Sequence, residues 1–344
     1  MFKKLTIGKI TKFKKRRNVV IGLGVGILML SILLTGCQKS PVTIETPLVP
    51  EKADAIAKVR IAEILNDEDI ADLYTCIAAI APSAPQTLKL ALDELRDETG
   101  VDLRDLKEAV VFADTSAGAP PEAVSLPNTP GGASTGEVEA RIPYAGGIVE
   151  CNIPAKQVFE ILQLLGIKNY EVYTYSDYNI YSLADDINIA FLSSKLVAVG
   201  PRDVVEDIID VGLGKSTPIS AELDQLYESL GDPLVKGVYK VPPSVTQGIP
   251  IEIPIDMAAC TFDKGNSIMY LQLQLYFASS STASDSADII QGLIAGVKYI
   301  YPQPEIRNML NKVDVATYDS QVSLQAETTV DEVKDLISVL EDVL

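Results

Sequence analysis

The chain of 344 residues contains no histidine and no tryptophan. Without histidine, Ser-His-Asp and Cys-His catalysis and every His-containing metal site are excluded. Without tryptophan, the commonest carbohydrate-stacking side chain is missing. Cysteine is scarce: four in all, of which Cys76, Cys151 and Cys260 are far apart and form no CxxC pair, so redox and zinc motifs are absent. Three is an odd number, so at most one disulfide can form among them, and each sits in an apolar or strand-like stretch that suits a buried thiol. Positive charge is also short, with 29 Lys and Arg against 47 Asp and Glu. No nucleic acid is expected as a partner, because that needs a basic footprint. Glycines provide no phosphate loop: Gly22, Gly24 and Gly26 lie in an apolar run, and Gly212-Leu213-Gly214-Lys215-Ser216 lacks the first glycine and the spacing, and reads as a helix end. No cofactor and no metal is expected.

What charge there is divides unevenly. Residues 1–36 hold eight Lys and Arg and no acidic residue, so the rest of the chain carries a formal −26 against −18 for the whole. Within that leader, Lys14-Lys15-Arg16-Arg17 precedes an uncharged apolar run from Val19 to Leu34. A basic region followed by an apolar region is the pattern of an export signal, and the basic end stays cytosolic. The run ends in Leu34-Thr35-Gly36-Cys37, which resembles the lipobox of bacterial lipoproteins. The resemblance implies cleavage between Gly36 and Cys37, diacylglycerol on the Cys37 thiol, and acylation of the new amino terminus. Two or three acyl chains meet the two-signal requirement for stable anchoring. An uncleaved signal anchor is the alternative. Gln38 to Lys52 contains Pro41, Pro47 and Pro50 and reads as a tether. Such a tether would reach about 45 Å at roughly 3 Å per residue.

Four segments follow: 1–36 signal peptide, 37–52 lipidated cysteine and tether, 53–231 a first α+β unit with a strand meander and helices, and 232–344 a second α+β unit. The expected fold class is α+β, with antiparallel sheets and helices packed on one face. Residues 53–65 read as a helix. A β-α-β-β-α order then occurs twice, suggesting an internal duplication. The first unit runs from Ala71 to Gly166, with 71–80 as its opening strand, a helix from Ala84 to Glu98 and a closing helix from Ala155 to Leu165. The second runs from Ser267 to Leu344 and ends in a helix with a capping box at Thr329 and Glu332. Between them lie four short strands, with turns at Ser176-Asp177 and Asp185-Asp186, and helices from Pro201 and Ser220. Thr115 to Glu139, rich in Ala, Pro, Gly, Ser and Thr, reads as a surface loop. In layout the body resembles uncharacterised exported bacterial proteins with duplicated α+β units behind a membrane anchor.

Two acidic clusters and one aromatic cluster are candidate sites. Asp203, Glu206, Asp207 and Asp210 share a helix face, but a straight helix rarely converges enough oxygens on a hard cation, so a solvated face is the plainer account. Asn66 to Asp69 with Asp72 lacks the glycine and distal glutamate of a calcium loop, and a helix cap at Asn66 or Asp67 suffices. Tyr173, Tyr175, Tyr178 and Tyr181 fall on two successive strands and form a possible binding surface, since tyrosine offers rigid contact area with a polar tip. Ordinary strand propensity also explains them.

These observations point to a membrane-anchored extracytoplasmic lipoprotein, not an enzyme, that acts in envelope binding or assembly. Its partners are the membrane, through the lipid, and an envelope protein or wall polymer. This reading expects a shallow surface, an exposed tyrosine face and no strongly perturbed carboxylates. Two alternatives make different demands. A solute-binding lipoprotein of a transporter would need two lobes and a deep cleft, and a His-independent carboxylate hydrolase a buried carboxylate pair in a cleft.

Overall fold

The computed structural model describes residues 48–80, 84–99, 102–115, 144–151, 170–183, 187–242 and 253–341. The strands are β1 (Ala55–Val59), β2 (Leu106–Ala113), β3 (Ala145–Cys151), β4 (Glu171–Tyr175), β5 (Tyr178–Ser182), β6 (Asn188–Phe191), β7 (Leu196–Gly200), β8 (Val235–Lys240), β9 (Met257–Gly265), β10 (Ile268–Tyr276), β11 (Asp314–Tyr318) and β12 (Gln321–Thr329). The helices are α1 (Ile61–Leu65), α2 (Glu68–Ile80), α3 (Leu88–Thr99), α4 (Arg202–Gly212), α5 (Ala221–Ser229), α6 (Ser280–Ile300), α7 (Pro304–Asn311) and α8 (Val330–Glu341). The fold is α+β. All twelve strands join one sheet in the order β11-β12-β10-β9-β8-β1-β2-β3-β7-β6-β5-β4, and each pairing is antiparallel. No two-lobed arrangement of parallel sheets occurs among the described residues.

Among the described residues, α4 and α5 pack on one face of the sheet and α1, α2, α6 and α8 on the other. On the first face, Ile56, Val110, Ile148, Ala198 and Ile180 pack against Val204, Val205, Ile208 and Ile209 of α4 and Leu223 and Tyr227 of α5. The α4 helix approaches closely because two strand positions beneath it are glycines. A Cβ on Gly146 would collide with Cγ1 of Val204, and one on Gly200 would stand 3.1 Å from the same atom. On the second face, Leu275 and Val322 meet Ala283, Ala287 and Ile290 of α6, and Phe262 and Met269 meet Leu73 of α2 and Val330 of α8.

Local signals account for many boundaries. Ser176 and Asp177 both take positive φ, 49° and 69°, which fits the tight β4–β5 hairpin. Ser220 caps α5 by accepting from the Leu223 N–H, and the chain leaves that helix through Gly231 at φ 72°. Asp67 caps α2, its Oδ1 accepting from Ile70 N at 3.0 Å. The capping box of α8 is reciprocal: Thr329 N–H donates to Glu332 Oε2 at 2.8 Å, and Glu332 N–H donates to Thr329 Oγ1 at 3.3 Å.

Two elements differ from expectation. Residues 53–65 contain the strand β1 and only then the short helix α1, because β1 is held between β2 and β8 along its whole length. The segment 71–80 is helical, part of α2, so the opening strand of the supposed first unit is a helix. Putting β1 in that role does not restore the pairing. In the first unit β1 pairs with β2 and β2 with β3, whereas in the second the opening strand β10 pairs with β12, and β11 lies outside it. The repeat is therefore not borne out as drawn. The closing helix at 155–165, the turn at 185–186, and most of the 115–139 loop lie outside the described residues, as do Gly36 and Cys37. The sheet runs across the suggested boundary between 231 and 232, since β8 pairs with β1 directly.

Candidate functional site

The strand register gathers small side chains into one place on the second face. Ala57 stands opposite Val111 on one side and Gly237 on the other; Val111 faces Gly147, and Gly237 faces Cys260. The next row holds Ala145, Ala113, Ala55, Tyr239 and Ala258, aligned in the same way. Where neighbouring strands carry Gly and Ala, the sheet surface sinks. The result is a cavity of about 760 Å³, bounded by residues of β7, β3, β2, β1, β8, β9 and β10, with Ile61 of α1 at one end. Seven adjacent strands at about 4.8 Å spacing make this trough roughly 29 Å across. Its volume falls within the range of about 300–1,000 Å³ of small-molecule sites.

The lining is apolar almost throughout. Its polar side-chain atoms among the described residues are the Tyr239 hydroxyl and the Cys260 thiol. Burial raises the thiol above its ordinary pKa, so Cys260 is held as a neutral, apolar-like group. The Thr115 hydroxyl donates to Asp54 Oδ2 at 2.8 Å, and its oxygen lies 3.3 Å from the Tyr239 hydroxyl. A small polar cluster thus marks one end of an apolar trough. Among the described residues, no carboxylate lines the trough itself.

The tyrosines singled out in the sequence do not form one surface. Tyr173, Tyr175 and Tyr178 share the first face and pack half-buried against its core. Tyr181 points to the second face, edge-on to Tyr170 at 5.8 Å and to Phe191 at 6.1 Å. On the first face, α4 supplies partners to three tyrosines. The Tyr175 hydroxyl donates to Asp210 at 2.8 Å and that of Tyr144 to Asp207 at 2.8 Å, while the Arg202 guanidinium lies 4.0 Å over the Tyr173 ring. The bond to Asp210 pushes Tyr175 up to about 12, and burial does the same for Tyr173. The acidic face of α4 is thus a clamp on the meander rather than a solvated surface, with only Asp203 exposed. Cys76, Cys151 and Cys260 are all free thiols, and only Cys151 is fully buried.

A pair of buried carboxylates does occur. Glu108 and Glu150 are cross-strand neighbours, 7% and 1% exposed. Lys58 Nζ lies 2.9 Å from Glu108 and 3.1 Å from Asp232, and Lys107 Nζ lies 2.8 Å from Glu150. These charges project from the first face, away from the trough. Nearby, Lys236 is buried, donating to the carbonyls of Tyr227 and Gly231 at 3.1 and 2.9 Å, and desolvation lowers its pKa.

No family model and no curated protein matches the chain. Among solved structures, three crystal forms of TP0453 are similar in layout. Form III aligns with a TM-score of 0.48 and 8% identity over 88% of this chain and 100% of that one. Form IV gives 0.47 and 9% over 86% and 97%, and form I gives 0.45 and 9% over 88% and 99%. The trough could not be read from the sequence, since Ala57, Gly147 and Gly237 are far apart in the chain and only register unites them.

Proposed function

We propose that this chain is a membrane-anchored lipoprotein, lipidated at Cys37 and facing away from the cytoplasm, whose body is a non-enzymatic binding protein for an acyl-chain-bearing ligand. The observation that carries the ligand class is the trough. A lipid acyl chain spans about 15 Å, half of the roughly 30 Å hydrocarbon core, so it fits within a trough of this width. Burying it gains about 0.8 kcal/mol per methylene, and the described lining residues offer no unsatisfied polar group to oppose it. The Tyr239, Thr115 and Asp54 cluster gives a polar headgroup hydrogen-bonding partners at one end. The hydrolase reading is less well supported, because Glu108 and Glu150 are each tied to a lysine on the opposite face.

Two measurements test this on full-length protein extracted from membranes. Intact mass beside Cys37→Ser tests the anchor: the wild type should show loss of the leader and an acyl-sized gain, both absent in the variant. Organic extraction of non-covalent lipid, with mass analysis, tests the trough. The wild type should release lipid in near-stoichiometric amount, and Ala57→Phe, whose ring fills the trough, should release little. Equal lipid from both proteins would remove the trough as the site.

A further inference from the structure

The α6 helix is longer than the sheet that supports it. In its first half, Ala283, Ala287 and Ile290 are buried against Leu275, Phe277 and Val322. The same stripe continues at helical spacing through Ile294 to Val297 and Tyr301, flanked by Leu293 and Ile300. Ile294 still packs against this cluster, but beyond it the body falls away. Leu293 is 47% exposed, Ile300 67% and Tyr299 86%. A contiguous, exposed apolar end of this kind marks an interaction surface.

We infer that the tip formed by the end of α6 and the start of α7 is a lipid-contact surface that seats the body on the bilayer to which the chain is tethered. This goes beyond the ligand reading and rests on the membrane placement proposed with it. Three features select a lipid surface over a second copy of the chain. Tyr299 and Tyr301 stand at the tip, and tyrosine is enriched where apolar chains meet headgroups. Lys298 and Arg307 are brought together there, Arg307 Nε donating to the Lys298 carbonyl at 3.0 Å. Between Asp288 and Lys312 the chain has two basic residues, Lys298 and Arg307, and one acidic one, Glu305, in a protein whose whole charge is −18; Lys312 itself is paired with Glu332. A second copy would bring two strongly acidic bodies together, whereas a locally basic tip can meet phosphate headgroups while the body stands off.

The absence of tryptophan makes the test simple. Tyr299→Trp places a single reporter at the tip, and Tyr318→Trp, at a 63% exposed position on β11, is the control. Each full-length variant is reconstituted into phosphatidylcholine vesicles containing a minor share of phosphatidylglycerol, with and without lipids brominated near the headgroup. The expected result is blue-shifted emission from Tyr299→Trp, most of it lost to the bromolipid, and water-like, unquenched emission from Tyr318→Trp. Adding Lys298→Glu and Arg307→Glu should weaken the quenching. Water-like emission from both variants on vesicles that retain the protein overturns the tip and leaves the anchor and trough intact. A blue shift without quenching also overturns it, since the tip would then be buried against protein. Failure of the chain to stay with vesicles overturns both this contact and the membrane placement.

Discussion

Lys58 shows how single side chains decide the stability of the middle of the sheet. It occupies the central strand β1, is 2% exposed, and its ammonium lies between Glu108 and Asp232. Burying a charge costs several kcal/mol, and only close counter-charges recover it. The pair Glu108 and Glu150 adds a second demand, because like charges directly opposite on neighbouring strands repel. Lys58 and Lys107 balance them one each. Lys58→Met should therefore cost about 3–5 kcal/mol, because both carboxylates lose the ammonium between them. Urea unfolding measures this, as a lower midpoint at unchanged slope. A loss below about 1 kcal/mol would mean that the cluster is solvated like a surface pair. Which buried groups pair was not legible in the sequence. Lys58 and Asp232 are 174 residues apart, and nothing about either marks it as internal.

At the scale of elements, what could be read depended on where the forming interactions lie. The capping box at Thr329, the turn at Ser176-Asp177 and the cap offered at Asn66 or Asp67 are local, and all were legible. β1 was not: its Ala-Ile-Ala-Lys-Val run satisfies a helical pattern, and only pairing on both sides makes it a strand. Its neighbour α2 erred the other way, an Ala- and Ile-containing stretch whose helical start is set by the Asp67 cap. The α8 cap allows a pH test. Lys312 and the Thr329 N–H hold the Glu332 carboxyl down at about 2, against an ordinary 4.5. A depressed carboxylate contributes stability that is fully present above its unfolded value and is lost as pH falls through the folded one. Glu332→Gln should therefore melt below the wild type at neutral pH. The difference should shrink between pH 4.5 and about 2 and vanish below that. Thermal melts across this range measure it; a difference independent of pH would show that the charge of Glu332 does not matter.

For the whole molecule, one sheet crosses the boundary suggested between 231 and 232. Helices pack on both faces of it, and the trough lies on the second face at the middle, floored by strands from both halves of the chain. Ala57 and Gly147 come from before residue 231, and Gly237 and Cys260 from after it, so the trough exists only when the halves are joined. The joint is the five-residue register of β1 against β8, at the centre of the sheet. Separating the chain between 231 and 232 would expose β1 and β8 as bare edges with unpaired backbone groups and uncover the apolar floor. Residues 1–231 and 232–344, made separately, should therefore fail to fold as cooperative units, and the intact chain should unfold in a single transition seen alike by far-UV circular dichroism and by amide exchange in β1 and β10. If either fragment alone melted cooperatively with protected amides, the molecule would be two domains sharing an edge. Its trough would then be an interface that opens rather than a fixed site.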